Sequence, residues 1–206
     1  MIYLLRHGQT DWNLERKIQG HLDMALNETG RKEALICLDK IVSLNIDNII
    51  SSDLVRAKET AQIINEKLHL PVRFDSRLRE INFGNLQGRL IQDITQDEWD
   101  IFNKTPHEVN AESWEDVYLR VKSFFDELDD IKNTLIVTHG GVIRSLTAGL
   151  LGLGAEKMLR IADGLEHTSV TELKYSKEAG CFSLERLNDC GHLDGRPELT
   201  RYAWKK

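Results

Sequence analysis

The sequence predicts an α/β protein in three α/β/α layers, with a mostly parallel sheet of about six strands and helices on both faces. Two observations carry that prediction. Short apolar segments alternate with longer segments of helical periodicity, and the short ones concentrate β-branched residues. At 206 residues the chain can bury a sizeable core, yet two full domains would be crowded. We expect a single domain over 1–206, with a small cap inserted at about 83–112.

The elements follow in βαβ order. A strand is expected at Ile2 to Leu5, a helix from Asn27 to Val42, a strand at Asn48 to Ser51, a helix from Asp53 to Leu68 and a strand at Val72 to Phe74. In the second helix Leu54, Ala57, Ala61, Ile64 and Leu68 recur at steps of three and four, behind Asp53 as the expected cap. From Phe83 to Glu112 the rhythm lapses, with a helix around Ile91 to Phe102 and a connection through Pro106. Ser113-Trp114-Glu115-Asp116 reads as a capping box, and Val117, Val121, Phe124, Leu128 and Ile131 continue at helical spacing. Thr134 to Thr138 is a strand that runs into His139-Gly140-Gly141 and a helix from Val142 to Leu151. Ser169 to Tyr175 and Phe182 to Leu187 alternate around Ser176 to Gly180, as in a hairpin or two adjacent edge strands.

Composition excludes several classes of function. The hydrophobic fraction is 41% and the charged fraction 29%, and no apolar run approaches the roughly 20 residues that span a bilayer. Arg6 and His7 follow the first apolar residues at once, leaving no room for a signal peptide, so a cytoplasmic protein is expected. Three cysteines without a C-x-x-C pair suggest neither a disulfide framework nor a zinc knuckle. A net charge of −6 without a basic cluster argues against nucleic acid. The expected partner is a small phosphorylated metabolite, with the chain a monomer or homodimer.

Open α/β sheets bind ligands beyond the carboxyl ends of their strands, where the pattern puts Arg6, His7 and His139. Arg56 lies in the first helical turn after Ser51-Ser52, and Gly140-Gly141 offers backbone N–H groups at another helix start; both favour an anion. Two arginines, two histidines and helix N-termini fit a phosphoryl group, whose oxygens take charge-assisted bonds. A neutral His7 imidazole can attack phosphorus, and the neighbouring cations favour the neutral ring. Glu80 is the expected acid for the leaving alcohol and then base for water. Asn13, Gln19 and Gly20 are candidate hydrogen-bonding groups for phosphate or substrate. His21, His69, His107, His167 and His192 read as surface or core residues, and Trp12, Trp99, Trp114 and Phe102 as packing. No residue cluster has metal-ligand spacing, and no cofactor is called for.

Four ordered segments then carry a resemblance: Leu5 to Asn13 (LRHGQTDWN), Ser51 to Ala61 (SSDLVRAKETA), Leu78 to Gly84 (LREINFG) and Val137 to Gly141 (VTHGG). Leu26 to Gly30 and Asn188 to Leu193 fit as well. The chain resembles the histidine phosphatase superfamily over nearly its whole length. That resemblance implies a phosphoglycerate mutase-like fold, a phosphorylated His7, phosphate binding by Arg6, Arg56 and His139, acid/base action by Glu80, and no metal. Within the superfamily the sequence looks similar to the α-ribazole phosphatase and broad-specificity branch, so hydrolysis of a phosphomonoester is expected. A cofactor-dependent phosphoglycerate mutase is the alternative; the segment from Gly88 to Glu112 argues against it, having Arg89 and Lys104 as its firm cations among six carboxylates. A silent phosphate-binding regulatory module is the non-enzymatic alternative.

Overall fold

The computed structural model describes residues 1–128, 132–153, 164–176, 181–196 and 199. Six strands, β1 (Ile2–Arg6), β2 (Asn48–Ser51), β3 (Val72–Phe74), β4 (Thr134–Thr138), β5 (Val170–Ser176) and β6 (Cys181–Asp189), form one sheet in the order β3-β2-β4-β1-β5-β6. The first four run parallel, while β5 pairs antiparallel with β1 and β6 with β5. Among the described residues six α-helices accompany them: α1 (Asp11–Leu14), α2 (Glu28–Ser43), α3 (Val55–Leu68), α4 (Gln96–Lys104), α5 (Trp114–Asp126) and α6 (Gly140–Leu150). The predicted three-layer α/β/α fold is what the chain adopts.

The layers follow from the pleat. Successive strand residues point to opposite faces, so a strand covered on both sides must be apolar throughout. In β1, Tyr3 and Leu5 join Cys37, Ile41, Ala57, Ala61 and Ile64 of α2 and α3, together with Leu135 and Val137. Ile2 and Leu4 point the other way, into a core with Val121, Phe124, Val142, Ile143 and Leu146 of α5 and α6. Leu86, Ile94, Phe102 and Ala111 belong to this second core, so the segment at 83–112 is packed onto the α5–α6 face.

Several boundaries differ from expectation for identifiable reasons. Asp53 does not cap α3: its carboxylate takes both donors of Arg79, at 2.7 and 2.5 Å, and the Val55 N–H goes instead to Asp23 Oδ1 at 2.6 Å. The helix expected from Ile91 divides, because Thr95 and Glu98 form a capping box that starts α4 afresh after a short 3₁₀ turn at Ile91–Asp93. Helix α6 begins two residues early, its first turn being the glycine pair. The Ser113–Asp116 capping box forms as read, but α5 ends at Asp126, short of the expected Leu128; residues 129–131 and the turn over 177–180 lie outside the described residues. Helix α1 was not anticipated; Thr10 caps it, with Asn13 as the reciprocal partner. No helix among the described residues is long and apolar enough to cross a membrane.

Candidate active site

Strand register brings the distant motifs together. Arg6 of β1 pairs with Thr138 of β4, Ser51 of β2 pairs with Val137, and the next residues in each case are His7, His139 and Ser52. The ladder continues one step further, with His7 N–H donating to the Thr138 carbonyl at 2.9 Å and Ser52 N–H to that of Val137 at 2.9 Å. His7 and His139 therefore emerge side by side, ring centroids 5.1 Å apart and both nearly fully buried.

His7 is held in one tautomer. Its Nδ1 lies 2.7 Å from the Gly8 carbonyl, which can only accept, so Nδ1 carries the hydrogen and the lone pair is on Nε2. Burial, then the charges of Arg56 and Arg6, hold this ring well below the usual histidine range, so it is neutral. The following loop is fixed by α3: Gly8 N–H donates to Thr60 Oγ1 at 3.1 Å, and Thr60 donates back to the Arg56 carbonyl at 2.8 Å. A side chain at Gly8 would strike the Gly30 carbonyl, at 2.5 Å from a built Cβ, so glycine lets β1 exit directly over the start of α2.

Arg56 is 1% exposed. Its Nη2 and Nη1 donate to the Gly20 and Leu22 carbonyls at 2.8 and 3.0 Å, while Nε has no hydrogen-bond partner among the described residues. Burial lowers its pKa to about 10, still a cation at neutral pH. Gly20 thus holds the guanidinium through its carbonyl. Arg6 is anchored by a 2.5 Å bond from Nη1 to the Leu165 carbonyl. His139 Nε2 meets Ser52 Oγ at 2.8 Å and its Nδ1 is unpartnered among the described residues; burial, then Arg56, keep it too well below the usual range.

Glu80 faces this group from the loop after β3. Its Oε1 accepts from Ile81 N–H and from Gly141 N–H, both at 2.9 Å, which ties it to the first turn of α6. Its backbone carbonyl accepts from His21 Nε2 at 2.7 Å and from Arg120 Nη2 at 2.9 Å. Arg120 also binds Glu112 and the Arg77 carbonyl, so one α5 side chain fastens the whole loop. Arg6, Glu80, Gly140 and Gly141 line a 140 Å³ cleft walled by Phe83, Trp114, Arg144 and Leu165. A second cleft of 130 Å³ lies along Arg6, Gln9, Trp12, Asn13 and His167.

Arg6, His7, Arg56, Glu80, His139 and Gly140 thus lie together at this sheet edge. Asn13 lines the second cleft, but its Oδ1 is already engaged by the Thr10 backbone and hydroxyl. Gln19 is buried with Oε1 unpartnered among the described residues. Sequence reasoning passed over Ser52, Thr60, Arg120, Arg144 and His167. His167 was read as core or surface, yet its ring centroid lies 6.2 Å from that of His7. The antiparallel pairing of β5 with β1 is the signal that could have placed it, since residues just before β5 must then lie beside Arg6 and His7. A larger cavity of 530 Å³ opens at the amino ends of β2 and β4, among Asn48, Pro71, Arg73 and Thr134, far from this chemistry. Among the described residues no group of His, Cys, Asp and Glu is arranged to hold a metal.

A mostly parallel sheet with two neutral histidines and two anchored arginines on its carboxyl edge defines a phosphoglycerate mutase-like α/β protein, and the chain belongs to the histidine phosphatase superfamily (branch 1), whose model matches residues 2–190. It is 36% identical to a Salmonella paratyphi A protein named probable phosphoglycerate mutase GpmB, over 94% of each chain. It also resembles the structure of a mycobacterial glucosyl-3-phosphoglycerate phosphatase (33% identity, 91% of this chain and 98% of that one, TM-score 0.79). The α-ribazole phosphatase of Shigella flexneri matches with 26% identity over 91% of this chain and 96% of that one, at a TM-score of 0.80.

Proposed function

We propose that the protein hydrolyses phosphomonoesters through a phosphohistidine on His7. One observation carries the reading: Nδ1–H is spent on the Gly8 carbonyl, so the Nε2 lone pair of a neutral ring is left beside two buried guanidinium groups. Nε2 attacks phosphorus while the bond to the leaving oxygen breaks and the Glu80 carboxyl gives that oxygen its proton. Glu80 then takes a proton from water, whose oxygen attacks phosphorus as the P–N bond breaks. Phosphate leaves, and both groups return to their starting states. Arg6, Arg56, His139 and the Gly140 N–H bind the equatorial oxygens and stabilise the charge that develops on them. Asn13, Gln19 and Gly20 are proposed to add hydrogen bonds to phosphate or substrate.

The substrate is a small phosphorylated metabolite whose leaving group lies in the cleft walled by Phe83, Trp114 and Leu165. Binding of a carboxylated bisphosphate would call for spare cations on the segment above. Arg89 is instead paired with Glu98 at 2.5 Å and Lys104 with Asp100 at 2.8 Å, which favours hydrolysis and makes a sugar or nucleotide-like monoester, such as α-ribazole phosphate, a suitable substrate. The mutase reading is supported by the name of the Salmonella relative and is tested alongside. We expect turnover of p-nitrophenyl phosphate in the presence of EDTA, its loss in His7→Ala, and a coupled 3-phosphoglycerate mutase rate below the hydrolysis rate. A primed mutase rate well above hydrolysis would replace the assignment.

A further inference from the structure

Behind the phosphate pocket lies a second pair of ionisable groups that the reaction above leaves idle. His167 is 2% exposed and lines the cleft shared with Arg6, Gln9 and Asn13. Backbone bonds fix its level: Thr168 N–H donates to the Arg6 carbonyl at 3.0 Å and Arg6 N–H to that of Ser169 at 3.1 Å. The residue before Thr168 is thereby pinned beside His7. Next to it Glu33 of α2 is fully buried, accepts the Gln9 N–H through Oε2 at 2.8 Å, and presents Oε1 to His167 Nδ1 at 3.6 Å.

A glutamine at position 33 could accept the same Gln9 bond without the cost of a buried ionisable group. An acid there, turned toward an imidazole that faces the nucleophile, calls for a reason beyond packing. We propose that His167 is a third histidine of the phosphate pocket and that Glu33 supplies the proton that makes its ring a cation when an oxyanion enters. This rests on the phosphoryl-transfer reading above. The step is internal: the Glu33 O–H bond breaks and an N–H bond forms at His167 Nδ1, so carboxyl and imidazole become carboxylate and imidazolium. Nε2, turned away from Glu33, then donates to a phosphoryl oxygen. The 3.6 Å gap must shorten by roughly half an ångström for this transfer.

The charged surroundings favour such a switch. Arg6 and His7 face His167 from the end of β1, Arg16 and Lys17 line the same cleft after α1, and Glu166 adjoins it in its own loop. Arg6, Arg16 and Lys17 draw an oxyanion toward the cleft, and a bound oxyanion favours an imidazolium beside it. Burial raises the Glu33 carboxyl to about 8, so its proton is present at neutral pH. His167 would touch the substrate, whereas Glu33 is a positioning residue that acts through it.

Sulfate serves as a non-titrating probe, its binding measured by calorimetry from pH 6 to 7.5 in wild type, Glu33→Gln and His167→Gln. In Glu33→Gln the proton must come from solvent, so the ratio of wild-type to variant affinity should rise by about tenfold per pH unit. His167→Gln should bind sulfate roughly tenfold more weakly than wild type at pH 7. A pH-independent Glu33→Gln ratio, or wild-type affinity in His167→Gln, overturns the inference. In the wild-type protein, which does not depend on a variant folding, ¹⁵N resonances of the ring assigned to His167 should move to the imidazolium pattern on sulfate saturation; a ring that stays neutral refutes the proposal. His7-dependent turnover of p-nitrophenyl phosphate reports separately on the underlying reading.

Discussion

At the scale of single residues the site depends on rings kept neutral next to fixed cations. His7 and His139 are held low by burial, then by Arg56, so neither should gain a proton as an ordinary histidine would on passing below 6.5. We therefore expect kcat/KM for p-nitrophenyl phosphate to stay within about threefold between pH 7 and 5.5, with no inflection near 6.5. A fall of tenfold per pH unit through 6.5 would show that the nucleophile titrates normally. These residues were legible because their types are chemically telling and their neighbours in sequence are distinctive. Ser52 and Thr60 were not, since a hydroxyl acquires a role only from what lies across the fold: His139 for one, the Gly8 N–H for the other.

At the scale of elements, the decisive joint is the one between the Glu80 loop and the start of α6. Gly141 is required there, because a Cβ on it would stand 2.1 Å from Glu80 Oε1 and 3.1 Å from Ile81 Cγ2. In Gly141→Ala the flexible carboxyl must yield, and the Gly141 N–H contact that aims it is disturbed. We expect kcat on alkyl phosphates to drop by roughly 100-fold with the circular dichroism spectrum unchanged. A variant with normal kcat would show that Glu80 need not be aimed by α6. Helix periodicity made α2, α3 and α5 readable, and the Ser113 capping box marked the start of α5 correctly. Asp53 misled because its usual local role as a cap lost to a two-pronged pair with Arg79, a partner 26 positions away. Local propensity gives no view of such competition.

At the scale of the whole molecule, a β1 buried on both faces and the order β3-β2-β4-β1-β5-β6 set two cores back to back and bring three strand ends to one point. The βα alternation announced this architecture, but only the pairing of β5 with β1 put His167 beside His7 and within 3.6 Å of Glu33. The interior then titrates with the fold. Glu33 is raised from 4.5 to about 8, so the unfolded chain gives up its proton first; its contribution to stability is complete below 4.5 and is lost as pH rises through about 8. His7 and His139 have the opposite slope, costing stability as pH falls below 6.5, where the unfolded rings take protons that the folded ones refuse. Glu33→Gln removes the first slope alone. Its Tm should exceed that of wild type by several degrees at pH 8 and converge toward it near pH 4.5; equal melting temperatures at pH 8 would mean that the buried carboxyl titrates normally.

The proposed mechanism makes the His7 ring the atom-level acceptor of the phosphoryl group. The most direct measurement is rapid alkaline quenching during turnover of a ³²P-labelled phosphomonoester, followed by peptide mapping. We expect label that is stable to base, labile to acid, confined to the peptide containing His7 and absent from His7→Ala. Label on another residue, or steady turnover in His7→Ala, would contradict it.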